Sequence, residues 1–257
     1  MVFPIGDDNT GRLRTPYVTY LLIALNVFVF VVLQGLGTNE QFTYAFSTVP
    51  EEIRTGVDVA RSVPIEAGGE RATIPLQPTP GSVYVTLLTS MFMHGSLMHL
   101  LGNMLFLWIF GDNVEDDLSH GRYTAFYLAT GLAATLAHVV STFTVGDNPF
   151  IPSLGASGAI SGVMGGYLVL HPHRRVRVIV LRMLTVVPGW VAVGLWFAFQ
   201  LISAVGALGL GPRGGGGVAF MAHIGGFIAG AVLVKLFAAG VARPGLAGGT
   251  RGDRRRW

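Results

Sequence analysis

Six apolar runs, each near the length a helix needs to cross a bilayer, separate the polar segments of this chain and restrict its folding more than any other feature. They lie at 17–33, within 83–110, at about 123–143, at 155–170, within 186–210 and at 218–239. Crossing the hydrocarbon core takes about 20 consecutive apolar residues. Composition agrees: 12% of residues are charged and 51% apolar, where soluble domains carry about a quarter charged. A chain of 257 residues has room for about five to seven such spans with their loops. The expected fold is all-α, a polytopic membrane protein of six transmembrane helices. The first run exceeds the apolar core of a signal peptide and no small-residue cleavage site follows it, so it is expected to remain as a span.

The polar segments divide accordingly. Residues 1–16 form an N-terminal segment, 17–239 the membrane domain, and 240–257 a Gly- and Arg-rich tail expected to be disordered. Inside the membrane domain, 35–82 is a long, proline-rich and acidic first loop. Loops of that length are commonly functional or without fixed structure. Six spans put both termini on one side. Thirteen basic residues fall there, among them Arg12, Arg14, Arg122, Arg174, Arg175, Arg177 and Arg182, and only Arg54, Arg61, Arg71 and Arg213 fall on the other. Basic loops stay in the cytoplasm, so both termini are expected there, in a cell membrane, with the acidic loop outside. The same residues sit at the ends of apolar runs and none lies in an aromatic surface patch. Nucleic acid is therefore excluded as a partner despite the net charge of +3. The absence of cysteine removes disulfides, thiolate nucleophiles and thiolate zinc sites together.

Polar residues inside lipid are costly, and their default role is functional. Three clusters stand out. The second run holds His94, His99 and Asn103. The fourth opens Gly155-Ala156-Ser157-Gly158, with Ser161 and Gly162 following. The sixth holds Ala222-His223 and then Gly226 and Gly230. With the orientation above, the second run descends from the outer side, and the fourth and sixth start there. All three clusters then share one depth, below the outer surface. Ser157 follows Pro152 and Gly155 where a helix begins and its first N–H groups lack partners, a setting suited to an oxyanion. A serine needs a base to act as nucleophile, and His223 is the only histidine of the last two runs. His99 and Asn103, four apart, share a helix face, and both can donate hydrogen bonds to developing negative charge. Gly158, Gly162 and Gly166 form one ridge of small residues and Ala222, Gly226 and Gly230 another. Such ridges are expected to bring the fourth and sixth helices close together.

Ser161 reads differently, as a hydroxyl bonded to the carbonyl of the previous turn. A zinc site from His94, His99 and His223 is disfavoured. Spacing of five residues turns the first two about 140° apart on a helix, and no carboxylate lies nearby. No metal and no cofactor is expected.

At these residues the chain resembles the rhomboid family of intramembrane serine proteases. The resemblance rests on His94-Gly95-Ser96-Leu97-Met98-His99 with Asn103, then Gly155-Ala156-Ser157-Gly158, then Ala222-His223 with Gly226 and Gly230. It implies a six-helix core and a Ser157–His223 dyad without a third carboxylate. It also implies an oxyanion hole from Asn103, His99 and the Ser157 backbone. Gly111-Asp112-Asn113-Val114-Glu115 resembles the family's acidic turn after the second helix, which would make Glu115 a structural anchor. Two positions depart from the pattern. Ser161 stands where members often carry an aromatic stacked on the catalytic histidine, and Val85-Thr86 stand near where the first loop often ends in Trp-Arg. The activity implied is hydrolysis of single-span membrane proteins near the outer membrane boundary through an acyl-enzyme. The competing expectations are a catalytically inactive relative that binds membrane clients, and a transporter. An inactive relative would lack Ser157 or His223. A transporter would need a polar path through the apolar inner halves of the fourth and sixth runs. Neither the substrate's identity nor the oligomeric state follows from the sequence.

Overall fold

The structure is a computed structural model, which describes residues 2–67, 70–209 and 216–241. Most of the expected tail and of the Gly-rich turn before the last run lies outside the described residues.

Strand β1 (Val2–Asp7) precedes helix α1 (Tyr17–Phe28), which starts directly after Pro16. The helix loosens into a π-helical turn at Val29–Leu33 and stops at Gln34. The loop that follows is folded. It contains α2 (Glu40–Ala45), capped by the Asn39 side chain, and α3 (Pro50–Thr55), which has proline in its first turn and ends on left-handed Gly56. An antiparallel hairpin of β2 (Ser62–Ala67) and β3 (Glu70–Pro75) completes it, over a small core of Val49, Val63 and Leu76. Apolar residues scattered among the prolines supply that core, so of the two expectations for this loop the one without fixed structure gives way to a small folded unit.

Glu52 is buried in this unit, 2% exposed, and accepts the Val59 N–H at 3.0 Å. Burial, aided by the charge of Asp58 and opposed by the Val59 hydrogen bond, pushes its carboxyl up to about 7 from an ordinary 4.5. Between those values the folded state holds a proton that the unfolded chain has released. The contribution to stability is therefore full below pH 4.5, is lost as pH rises to about 7, and is level beyond. Glu52→Gln keeps an acceptor and removes the titration. Its thermal midpoint should lose this decline, and its stability at pH 8 should exceed wild type by on the order of 2 kcal/mol. Parallel pH profiles for the two proteins would overturn the assignment.

The second expected span, 83–110, is divided. Short helical turns occupy 83–92, including α4 (Thr86–Thr89). The long helix α5 (Leu97–Leu118) begins only after Met93 extends and Ser96 caps the His99 N–H at 3.1 Å. Gly95-Ser96 breaks the run, and α5 continues to Leu118, well past the expected end. Helices α6 (His120–Val145) and α7 (Ser157–Leu170) follow. Then come β4 (Arg175–Val180), β5 (Met183–Pro188), α8 (Gly189–Gly209) and α9 (Gly216–Ala238).

The all-α expectation is thus too narrow. β1, β4 and β5 form an antiparallel sheet in that order. Val176 and Val178 are fully buried in the main core, while Arg175 and Arg177 stay exposed. Their strict alternation is a strand pattern that reads as a basic loop when only charge is counted. Pairing of Phe3 with Ile179 also holds the N-terminal segment beside the α7–α8 connection.

Three described helices, Leu97–Leu118, His120–Val145 and Phe220–Ala238, are long and apolar enough to cross a membrane. The chain is a mostly helical membrane protein. α7 is the central helix, buried from Gly158 to Tyr167 and packed chiefly on α9 and α6. A Cβ on Gly226 would overlap the carbonyl oxygen of Gly158, and one on Gly230 that of Gly162. The α9 ridge therefore does rest on α7. The α7 ridge, however, faces back only in part. A Cβ on Gly158 would lie 2.6 Å from Cβ of Ala134, and one on Gly162 would overlap Thr130, both on α6. Gly165, against the Phe227 carbonyl, faces α9, and Gly166 lies between Phe126 of α6 and Val234 of α9. Two helices thus need α7 slender on two sides, which one four-residue ridge cannot express.

Candidate active site

The nucleophile candidate lies at a helix start built by its neighbours. Ser153 and Thr48 exchange two backbone hydrogen bonds, of 2.8 and 3.0 Å, tying the approach to α7 to the outer loop. Gly155 then turns with φ +126 and donates its N–H to the Ser90 carbonyl at 2.8 Å. Only glycine suits this position on two counts. The torsion is one that side chains avoid, and a Cβ would lie 2.8 Å from the His99 ring. Ala156, fully buried, is the helix N-cap residue and supplies no side-chain cap. The N–H groups of the first turn are therefore left for another acceptor.

Ser157 Oγ lies 2.8 Å from Nε2 of His223 on α9. The other ring nitrogen, Nδ1, lies 2.8 Å from Oε1 of Gln200 on α8. Ser161 donates its hydroxyl to the Ser157 carbonyl at 2.6 Å, so it bonds backward along its own helix. These side chains line a cavity of about 240 Å³, together with His99, Asn103 and Phe106 of α5 and Trp196 of α8.

Asn103 is placed by His94. The Asn103 amide donates to His94 Nε2 at 3.0 Å, which puts the proton of a neutral His94 ring on Nδ1. His94, fully buried, is itself held by Gln34. The Gln34 side chain accepts the His94 N–H at 2.9 Å and donates to the His94 carbonyl at 3.0 Å. One N–H of the Asn103 amide remains for the cavity. Because His94 precedes α5, the helical-wheel separation of His94 and His99 does not apply. Their rings lie 5.1 Å apart. Among the described residues no group of three or more His, Cys, Asp or Glu side chains gathers as a metal site would.

At the opposite end of α5, Glu115 is fully buried. It accepts the Val18 and Thr19 N–H groups at 2.9 and 2.7 Å and meets His120 Nδ1 at 2.6 Å. It thus takes up donors that the start of α1 leaves free. Asn113 donates to Asp7 at 2.6 Å, which joins the acidic turn to β1.

Two residues at the site escaped the sequence reading. Gln200 is one of the few polar residues of the fifth run, and Gln34 follows directly on the first. Gln200 carried the same signal, a polar side chain in an apolar stretch, that singled out Asn103; Gln34, just past its run, did not.

Comparison with known proteins bears on the same segments. A family model of the Rhomboid domain matches residues 81–240. Rhomboid protein 1, mitochondrial, of Saccharomyces cerevisiae is 33% identical over 146 residues, which cover 57% of this chain and 40% of the relative. Rhomboid protease GluP of Bacillus subtilis is 32% identical over 162 residues, 62% of this chain and 26% of the relative. Presenilin-associated rhomboid-like protein, mitochondrial, of Homo sapiens is 35% identical over 103 residues, 40% of this chain and 27% of the relative. The match spans less than half the length of each of these relatives. With the family model covering more than half of its length, this chain belongs to the rhomboid family.

Proposed function

We propose that the chain is an intramembrane serine endopeptidase that cuts single-span membrane proteins near their outer membrane boundary. The observation that supports this most is the 2.8 Å contact between Ser157 Oγ and His223 Nε2 beside a cavity. In this reading Tyr17–Leu33, α7 and α8 join the three long helices as spans of a six-helix bundle. It sits in a cell membrane with both termini cytoplasmic. α7 has 14 residues, about 21 Å of helix, against about 30 Å of hydrocarbon. A span this short starts below the outer surface, and Ser157 is its first residue.

The reaction follows from the groups present. As Ser157 Oγ bonds to the scissile carbonyl carbon, its proton passes to His223 Nε2. The oxyanion is met by Asn103, His99 and the Ser157 N–H. His223 then protonates the leaving amine, the C–N bond breaks, and an acyl-enzyme remains. Water, giving its proton to His223, attacks the ester and frees Ser157.

The test is labelling by a fluorophosphonate, which needs an activated serine. Wild type should be labelled and Ser157→Ala should not. An unlabelled wild type would favour a client-binding relative without catalysis. Asn103→Ala should lower kcat by about 10²- to 10³-fold with KM little changed, because its bond strengthens in the transition state. A raised KM at unchanged kcat would make Asn103 a substrate contact instead.

A further inference from the structure

A neutral imidazole carries one proton, and which nitrogen holds it is set by the partner of the other. His223 has a partner on each side: Ser157 Oγ at Nε2 and Gln200 Oε1 at Nδ1, both at 2.8 Å. An amide oxygen only accepts. Gln200 therefore requires the proton on Nδ1 and leaves the Nε2 lone pair facing the serine hydroxyl. With the tautomers exchanged, Nε2–H would point at Ser157 and no base would be present. Gln200 is 6% exposed and shares the cavity wall with Trp196, one turn earlier on α8. The Trp196 and His223 ring centroids are 6.0 Å apart. No ring reaches His223 from position 161, whose serine is bonded to its own helix. The orientation of the base is thus supplied from α8.

We infer that Gln200 is a positioning residue that fixes the tautomer and ring angle of His223, an assignment that rests on the proposed protease reading. The third partner of the pair is then a neutral amide where a carboxylate is often used. It orients the ring without adding charge, and its loss should cost far less than the roughly 10⁴-fold seen when a triad aspartate is replaced.

Full-length Gln200→Met and Gln200→Glu, in liposomes with a single-span substrate, separate orientation from packing. Methionine matches the glutamine in length but accepts a hydrogen bond only weakly, whereas an ionised glutamate can only accept. Met should lower kcat and the fluorophosphonate labelling rate by about 10- to 100-fold with KM unchanged, while Glu should stay within about threefold of wild type. Wild-type kcat in the Met variant, or equal losses in both variants at unchanged thermal midpoint, would overturn the inference. Nitrogen-15 NMR of His223 in the wild type gives an answer that needs no variant to fold. A proton on Nδ1 is expected, and one on Nε2 at neutral pH overturns the assignment. A wild type that neither takes the probe nor cuts would overturn the protease reading itself, whereas an active wild type with an indifferent Met variant overturns only the role of Gln200.

Discussion

Ser157→Ala and His223→Ala should each bring cleavage of a single-span substrate to background, and the double variant should be no worse than either. Nucleophile and base act as a unit, so removing one forfeits the work of both, a loss on the order of 10⁶ in kcat in serine proteases. Neither change should unfold the protein. Ser157 and His223 meet at the edge of a cavity, and alanine leaves the glycine contacts of α7 and α9 untouched. Purified variants with wild-type thermal midpoints and no turnover are the expected result. Ser161→Ala is the comparison, since its hydroxyl serves only the Ser157 carbonyl in the structure. It should keep most activity. A dead Ser161→Ala beside an active Ser157→Ala would mean that the wrong serine had been chosen.

The second large effect concerns how α7 and α9 touch. A side chain at Gly230 would run into the Gly162 backbone, with its carbonyl carbon at 2.6 Å and Cα at 2.7 Å from the first added atom. Backbone cannot swing aside as a side chain can, so Gly230→Val must separate the helices. Overpacking of this kind typically costs about 1–3 kcal/mol. A shift of about 1 Å between reacting groups can cost about 100-fold in rate. Gly226→Val acts three residues from His223, against the residue that follows Ser157, and should be the more damaging to activity. Gly162→Val should disturb α6 first, through Thr130. Gly194→Ala on α8, with nothing within 4 Å of the added atom, is the control. Full activity in both α9 variants, measured as kcat beside thermal midpoint, would mean the helices do not approach through these glycines.

The contrast between what the chain's pattern revealed and what it hid is physical. The meeting of Ser157 and His223 was legible because polar residues in lipid are rare, and because span direction converts sequence position into depth. The break at Gly95-Ser96 was not, since a run of apolar residues looks the same whether one helix or several turns occupy it. The two helices do meet at Gly158/Gly226 and Gly162/Gly230, but a ridge that repeats every four residues hid that the open faces of Gly158 and Gly162 look to α6, because a central helix has neighbours on several sides. Gln200 was passed over although it met the criterion applied to Asn103. The sheet was hidden by its charge: arginines on one face of β4 drew attention from the valines on the other.

That sheet also imposes an order of assembly. β1 precedes every described helix of this chain, yet the strand it pairs with, β4, follows α7. Until then the strand's backbone groups lack the ladder they form with β4. Contacts between segments so far apart form late, because a long loop must close before they return anything. β1 would thus be among the last elements to dock, once four helical runs are in place. Asp7, buried against Asn113 and Tyr167, would close its end of the bundle as a final step. Bulky additions beside β1 would then slow assembly and leave the 2.8 Å contact of Ser157 with His223 unchanged.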